Sequence, residues 1–168
     1  FSYKTDNLMN ANLTAEQQAL VSTYDASLFA GAVKAAEAKI GAFAATSSGF
    51  AKKSASVSFD GAFAINYYFT ANAEVAGDVT FYYWTADAYA NAETLTAENA
   101  SGTAVMAVSS NGAYWAQVSG IAAKQIDDTY YVAAVYADAA GNNYCTGVIA
   151  YSLSTYCVKN AVEGNAMQ

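Results

Sequence analysis

From Ser54 onward the chain alternates apolar and polar residues in short runs, and clusters of Gly, Asn, Asp and Ser separate those runs. These two observations predict a mainly β protein, an antiparallel β-sandwich of about seven strands. Helical periodicity at both ends adds an N-terminal helical segment and a short C-terminal helix.

The elements follow in order. Thr14-Ala15-Glu16-Gln17 has the form of a capping box, in which the Thr14 hydroxyl and the Gln17 amide satisfy the free N–H groups of a first helix over Thr14–Thr23. Asp25 caps an Ala-rich segment in which Phe29, Val33, Ala36, Ile40 and Phe43 recur at three- and four-residue steps. Propensity makes that segment a helix, with an edge strand as the alternative over residues 27–45. Residues 1–50 are thus expected to be a helical segment packed on a sandwich formed by residues 51–168, the whole being one compact module.

Beyond Ser47-Ser48-Gly49 the period becomes two. Ala55, Val57 and Phe59 alternate with Ser54, Ser56 and Ser58, and Phe63, Ile65, Tyr67 and Phe69 alternate with Ala64, Asn66, Tyr68 and Thr70. Asp60-Gly61 between them is a strong hairpin signal, and Phe59, Phe63 and Tyr67 are assigned to the core. Further strands are expected at Val79–Trp84, Thr103–Val108, Ala113–Val118, Thr129–Tyr136 and Tyr144–Tyr151. Asp127 stands four residues before Tyr131, the spacing of the tyrosine corner that ties down the turn before a late strand of immunoglobulin-like sandwiches. Leu153–Val162 closes the chain as a helix, with Ser152 or Ser154 as its cap.

Composition excludes several functions. Among 168 residues there are 7 Lys, no Arg, 14 Asp plus Glu and no His, for a net charge of −7. Nucleic-acid binding needs clustered cations to neutralise phosphate, so it is not expected. Without His, most zinc sites and the Ser-His-Asp and Cys-His systems are gone, and neither a metal nor a cofactor is expected. No run approaches the roughly 20 apolar residues of a membrane span. The chain opens at Phe1 without Met, which reads as a processed or excised piece. Asp127 and Asp128 are adjacent, and neighbours in extended chain face opposite ways, so they are not an acid/base pair. The expectation is therefore not an enzyme, the remaining catalytic option being a carboxylate pair across a cleft.

Three smaller groups have two readings each. Cys145 and Cys157 are either free buried thiols or a disulfide that their strand spacing disfavours. Asp138, Asn142 and Asn143 surround a Gly and form either a plain turn or oxygen ligands for Ca²⁺, although the EF-hand spacing is absent. Lys53 with Asn142 or Asn143 has the residue types of an isopeptide crosslink, with no carboxylate identified to assist it.

The aromatic residues, 14% of the chain with 14 Tyr, carry the functional expectation. Along Val79–Trp84 the alternation places Thr80, Tyr82 and Trp84 on a face that polar Thr80 marks as outward, and the same logic pairs Trp115 with Gln117. Sugar rings stack their C–H faces on indoles and phenols while amides bond their hydroxyls, so Tyr82, Trp84, Tyr89, Trp115 and Gln117 are the candidate glycan platform. The competing reading makes those aromatics the seat of the N-terminal helical layer.

The run Lys53–Phe69, the corner Gly120–Asp128 and the segment Ala150-Tyr151-Ser152-Leu153-Ser154-Thr155-Tyr156 resemble a module of large secreted cell-surface proteins of gut Firmicutes. The resemblance implies a sandwich, an extracellular location, a modular parent protein and a connecting helix just outside Phe1–Leu8. It carries no functional residues. Together with the aromatics it yields the working expectation of a non-catalytic module that binds polysaccharide or glycan. The alternative is a structural repeat, spacer or filament subunit that contacts neighbouring modules.

Overall fold

The computed structural model describes residues 38–46 and 49–162. The chain divides into two units, Phe1–Ala36 and Glu37–Gln168. The first lies outside the described residues, and with it the expected helix Thr14–Thr23 and the capping Asp25. What remains of the second expected helix is helical at residues 38–40 and tightens into a 3₁₀ turn at Gly41–Phe43.

The rest is a mainly β sandwich of two antiparallel sheets. Its strands are β1 (Phe50–Phe59), β2 (Phe63–Ala71), β3 (Thr80–Trp84), β4 (Gly102–Val105), β5 (Ala107–Val108), β6 (Tyr114–Ile121), β7 (Tyr130–Ala137), β8 (Asn143–Cys145) and β9 (Ile149–Tyr151). One sheet runs β1-β2-β6-β5; the other runs β4-β3-β7-β8, with β9 also on β7. Helix α1 (Ala86–Asn91) follows β3, and α2 (Leu153–Val162) follows β9.

The period-two pattern fills the space between the sheets. Ile65, Tyr67 and Phe69 of β2 and Ala116 and Val118 of β6 meet Phe81 of β3 and Val132, Ala134 and Tyr136 of β7. Burial of each large apolar side chain there contributes about 1.5–3 kcal/mol. Strand β7 is apolar along its whole length because both of its faces are covered: Ala133, Tyr131 and Val135 pack outward into a second cluster with Phe43, Trp84, Leu95 and Cys145.

Two expected strands are each divided. Thr103–Val108 breaks at Met106, whose side chain is buried and whose N–H donates to the Val79 carbonyl at 2.8 Å; β4 belongs to one sheet and β5 to the other. Tyr144–Tyr151 breaks at Gly147, where φ is +70°. Cys145 pairs with Val135 and Ile149 with Val132, so one extra residue is accommodated as a bulge.

The Asp60-Gly61 hairpin forms, with Phe59 opposite Phe63 and Gly61 at φ +73°. Phe59, assigned to the core, is instead 67% exposed at the last position of its strand, where its ring packs on that of Phe63 at 5.0 Å between centroids. The tyrosine corner is also corrected. Tyr131 turns outward and stacks on Tyr89 at 3.7 Å between centroids, and no hydrogen bond joins it to the exposed Asp127. The Gly120–Asp128 corner is tied instead by other bonds: the Ala122 N–H donates to the side-chain Oε1 of Gln125 at 3.1 Å, and the Ser154 N–H to the Ile126 carbonyl at 3.1 Å.

Ser152 is the cap of α2, accepting from the Thr155 N–H at 3.0 Å. Helix α1 was not expected; Thr85 caps it, with Oγ1 accepting from the Ala88 N–H, and Asp87 in its first turn favours the positive end of the helix dipole. Both cysteines are free, but only Cys145 is buried; Cys157 is exposed on α2, which corrects the expectation of two buried thiols. Among the described residues no helix is long and apolar enough to cross a membrane.

Candidate functional site

The outward side chains of the β1-β2-β6-β5 sheet line up in cross-strand rows. Lys52 of β1 stands opposite Thr70 of β2. Ser54 stands opposite Tyr68, which stands opposite Trp115 of β6 and, beyond it, Ala107 of β5. Ser56 stands opposite Asn66, which stands opposite Gln117. The alternation that sends Ile65, Tyr67 and Phe69 into the core sends Asn66, Tyr68 and Thr70 to this face.

Tyr68 and Trp115 are half-buried and Gln117 is exposed. Asn66 is buried among them and donates through Nδ2 to Ser58 Oγ at 3.1 Å and Ser56 Oγ at 3.4 Å, which holds the serine row in register. Beside Tyr68 the surface dips into a recess of about 300 Å³ lined by Lys52, Ser54, Tyr68, Thr70, Asn111 and Ala113. Asn111 belongs to the β5–β6 turn, where its Oδ1 accepts from Ser109 Oγ at 2.5 Å and the Ala113 N–H at 3.2 Å, while its amide N–H₂ group makes no hydrogen bond among the described residues. Face and recess together offer two aromatic surfaces, hydroxyls, amides and one ammonium.

The five expected platform residues do not lie together. Trp115 and Gln117 are on this face, but Tyr82, Trp84 and Tyr89 belong to the outer side of the other sheet. That side is partly covered, with Tyr82 and Tyr89 half-buried. Trp84 is fully buried, packed edge-on against Phe43 at 4.9 Å and stacked on Tyr82 at 6.3 Å, with its indole N–H donated to Asn99 Oδ1 at 2.9 Å. Tyr89 is stacked on Tyr131, and the Lys39 ammonium lies 4.7 Å from its centroid while donating to the Tyr89 carbonyl at 2.7 Å. Polar Thr80 at the start of the strand does mark the outward side, but residues 38–46 and 86–100 close over its far end. Tyr68 takes the place of these residues beside Trp115. Its position in the polar half of the alternation was the signal for it, and only the register of β2 on β6 brings it to Trp115.

The remaining candidate groups are structural. Asp138 Oδ1 accepts from the Ala140 and Asn142 N–H groups and Oδ2 from Asn142 Nδ2 and the Tyr144 hydroxyl, all at 2.9 Å, and these bonds, the Asn142 side chain foremost, hold its carboxyl below the ordinary range. The group is a turn. Lys53 donates to the Thr146 carbonyl, not to Asn142 or Asn143. Asp87 and Asp128 line one recess of about 210 Å³ with Thr85, Gln125, Thr129 and Tyr130. Among the described residues no three or more His, Cys, Asp or Glu side chains stand close enough to hold a metal ion.

No family model matches the chain, and no curated protein matches it. Among solved structures it is similar to the crystal structure of a Br derivative of BhCBM56, at 18% identity and a TM-score of 0.39, over 60% of this chain and 90% of that one.

Proposed function

We propose that this chain is a non-catalytic extracellular module of a larger surface protein, and that it binds polysaccharide or glycan on the outer face of the β1-β2-β6-β5 sheet through Trp115, Tyr68 and Gln117. The observation that carries this reading is the pairing of Tyr68 with Trp115 on an open face bordered by the Ser54 and Ser56 rows, Asn66 and Gln117. Two half-exposed aromatic side chains at facing register positions offer apolar surface to the C–H face of a sugar, and the flanking amides and hydroxyls match its hydroxyls. The extracellular, modular setting rests on the resemblance to the surface proteins of gut Firmicutes. An immunoglobulin-like character is favoured by the strand order, since β1-β2-β6-β5 facing β4-β3-β7-β8 corresponds to A-B-E-D facing C′-C-F-G.

The test is affinity electrophoresis against a panel of plant, microbial and host glycans, with Trp fluorescence as a second readout. Trp84 is sealed in the fold, so a ligand-induced change must come from Trp115 and disappear in Trp115→Phe. Retardation by at least one glycan, lost in Trp115→Ala and weakened in Tyr68→Ala, supports the reading; no response to any member of the panel overturns it.

One observation favours a contact between modules. The β4–β5 edge, Gly102–Val108, carries no charged residue and leaves Val105 61% and Val108 62% exposed, whereas the β1 edge carries Lys52 and Lys53. Open, uncharged strand edges are templates for pairing. Concentration-dependent sedimentation abolished by Val105→Lys with Val108→Lys supports that contact, and a monomer at all concentrations removes it.

A further inference from the structure

We infer that the glycan taken by this face is anionic, and that Lys52 receives its carboxylate or sulfate group in the recess beside Tyr68. This inference rests on the platform reading above and adds the class of sugar.

Three observations carry it. Of the four lysines whose side chains are described, Lys39 is engaged by the Tyr89 and Ala90 carbonyls and Lys53 by the Thr146 carbonyl. Lys52 and Lys124 make no hydrogen bond or ion pair among the described residues, and of these two it is Lys52 that lines a recess next to an aromatic ring. Second, no Asp or Glu lines that recess, in a chain with 14 acidic residues and a net charge of −7. Third, the other polar groups there suit an acidic substituent: the Ser54 and Thr70 hydroxyls can donate, and the Asn111 amide has its oxygen already used and its N–H₂ group without a partner among the described residues. An ammonium with three further donors and no competing carboxylate is a receptor for an oxyanion. Ser54 and Tyr68 share a cross-strand row with Trp115, so a sugar stacked on the rings can direct a substituent into the recess.

The bulk charge of the protein opposes this binding. A chain of net charge −7 is repelled by a polyanion, so a preference for acidic glycans has to come from a local site and not from general electrostatic attraction.

The experiment compares matched neutral and acidic polymers in affinity gels: polygalacturonate against its methyl ester, and dextran sulfate against dextran. The expected result is stronger retardation by at least one acidic member than by its neutral partner. Lys52→Gln should reduce that affinity about tenfold, the effect of losing one charge-assisted hydrogen bond. Lys124→Gln, which removes an equal charge outside the recess, should leave the preference in place, and Trp115→Ala should abolish retardation by both members of the pair. Far-ultraviolet circular dichroism confirms that each variant is folded. The arm that responds identifies carboxylate or sulfate. Equal retardation by both members of each pair, or a preference that survives Lys52→Gln or is lost equally in Lys124→Gln, overturns the anionic assignment and leaves the platform standing. No retardation of the wild-type chain by any of these polymers overturns the anionic assignment, and the platform falls with it when the wider glycan panel is silent as well.

Discussion

The indole N–H of Trp84 donates to Asn99 Oδ1 at 2.9 Å, and the same oxygen accepts the Thr96 N–H at 2.9 Å while the Asn99 amide donates to the Thr94 carbonyl at 2.8 Å. One amide thus satisfies a buried indole and pins the loop that closes over it. Asn99→Ala leaves the indole donor unpaired in a dry site, and the expected cost is about 1–3 kcal/mol, read as a lower urea midpoint. Trp84 emission should also shift red and become accessible to acrylamide, while glycan retardation through Trp115 is retained.

Tyr67 is buried between the sheets with its hydroxyl unpartnered, and burial, with Tyr151 and Tyr130 nearby, holds its pKa well above the ordinary 10.0. The folded state therefore keeps the proton that the unfolded chain releases. The contribution of Tyr67 to stability is intact below pH 10 and is lost as pH rises from there toward the raised folded value. Tyr67→Phe removes an unsatisfied polar atom at nearly constant volume, so it should stabilise the protein by about 1 kcal/mol at neutral pH and flatten the alkaline loss of stability. Thermal unfolding of both proteins between neutral and alkaline pH measures the two effects.

Gly49 is held at close quarters. Its carbonyl accepts the Tyr136 hydroxyl at 2.6 Å and the Asn72 N–H at 2.9 Å, and a Cβ placed there would stand 2.5 Å from Tyr144 Cβ. The Tyr144 Cβ is anchored to strand β8 and cannot swing away. Gly49→Ala should cost about 1–3 kcal/mol in chemical denaturation, as overpacking does.

The two thiols differ in environment. Cys145 is buried, with Sγ donating to the Phe43 carbonyl at 3.4 Å and its pKa raised chiefly by desolvation, while Cys157 is exposed. A chromogenic thiol reagent should titrate one cysteine rapidly in the native protein and the second only after denaturation. Cys157→Ser should abolish the rapid phase.

The sequence by itself determined the class of fold and much of its interior. Alternation in Ile65-Asn66-Tyr67-Tyr68-Phe69 sorts inward from outward residues without any knowledge of the partner strand, because a pleated strand sends neighbours to opposite faces. Asp60-Gly61 and Ser152 likewise act over a few residues, so the hairpin and the α2 cap were legible. The absence of His removed His-based catalysis and most zinc sites from the expectation without reference to shape.

Only the tertiary structure decided which outward faces are open. Trp84 has the same local pattern as Trp115, yet Phe43, Leu95 and the Asn99 loop bury it while Trp115, like Tyr68 and Tyr82, stays partly exposed. That outcome depends on contacts between segments tens of residues apart, as does the pairing of Tyr68 with Trp115 across β2 and β6. It also explains why Thr103–Val108 divides at Met106: its backbone must serve two sheets, and no local preference encodes the change. Periodicity along one strand specifies a face, but whether that face meets solvent or another part of the chain is a property of the packed whole.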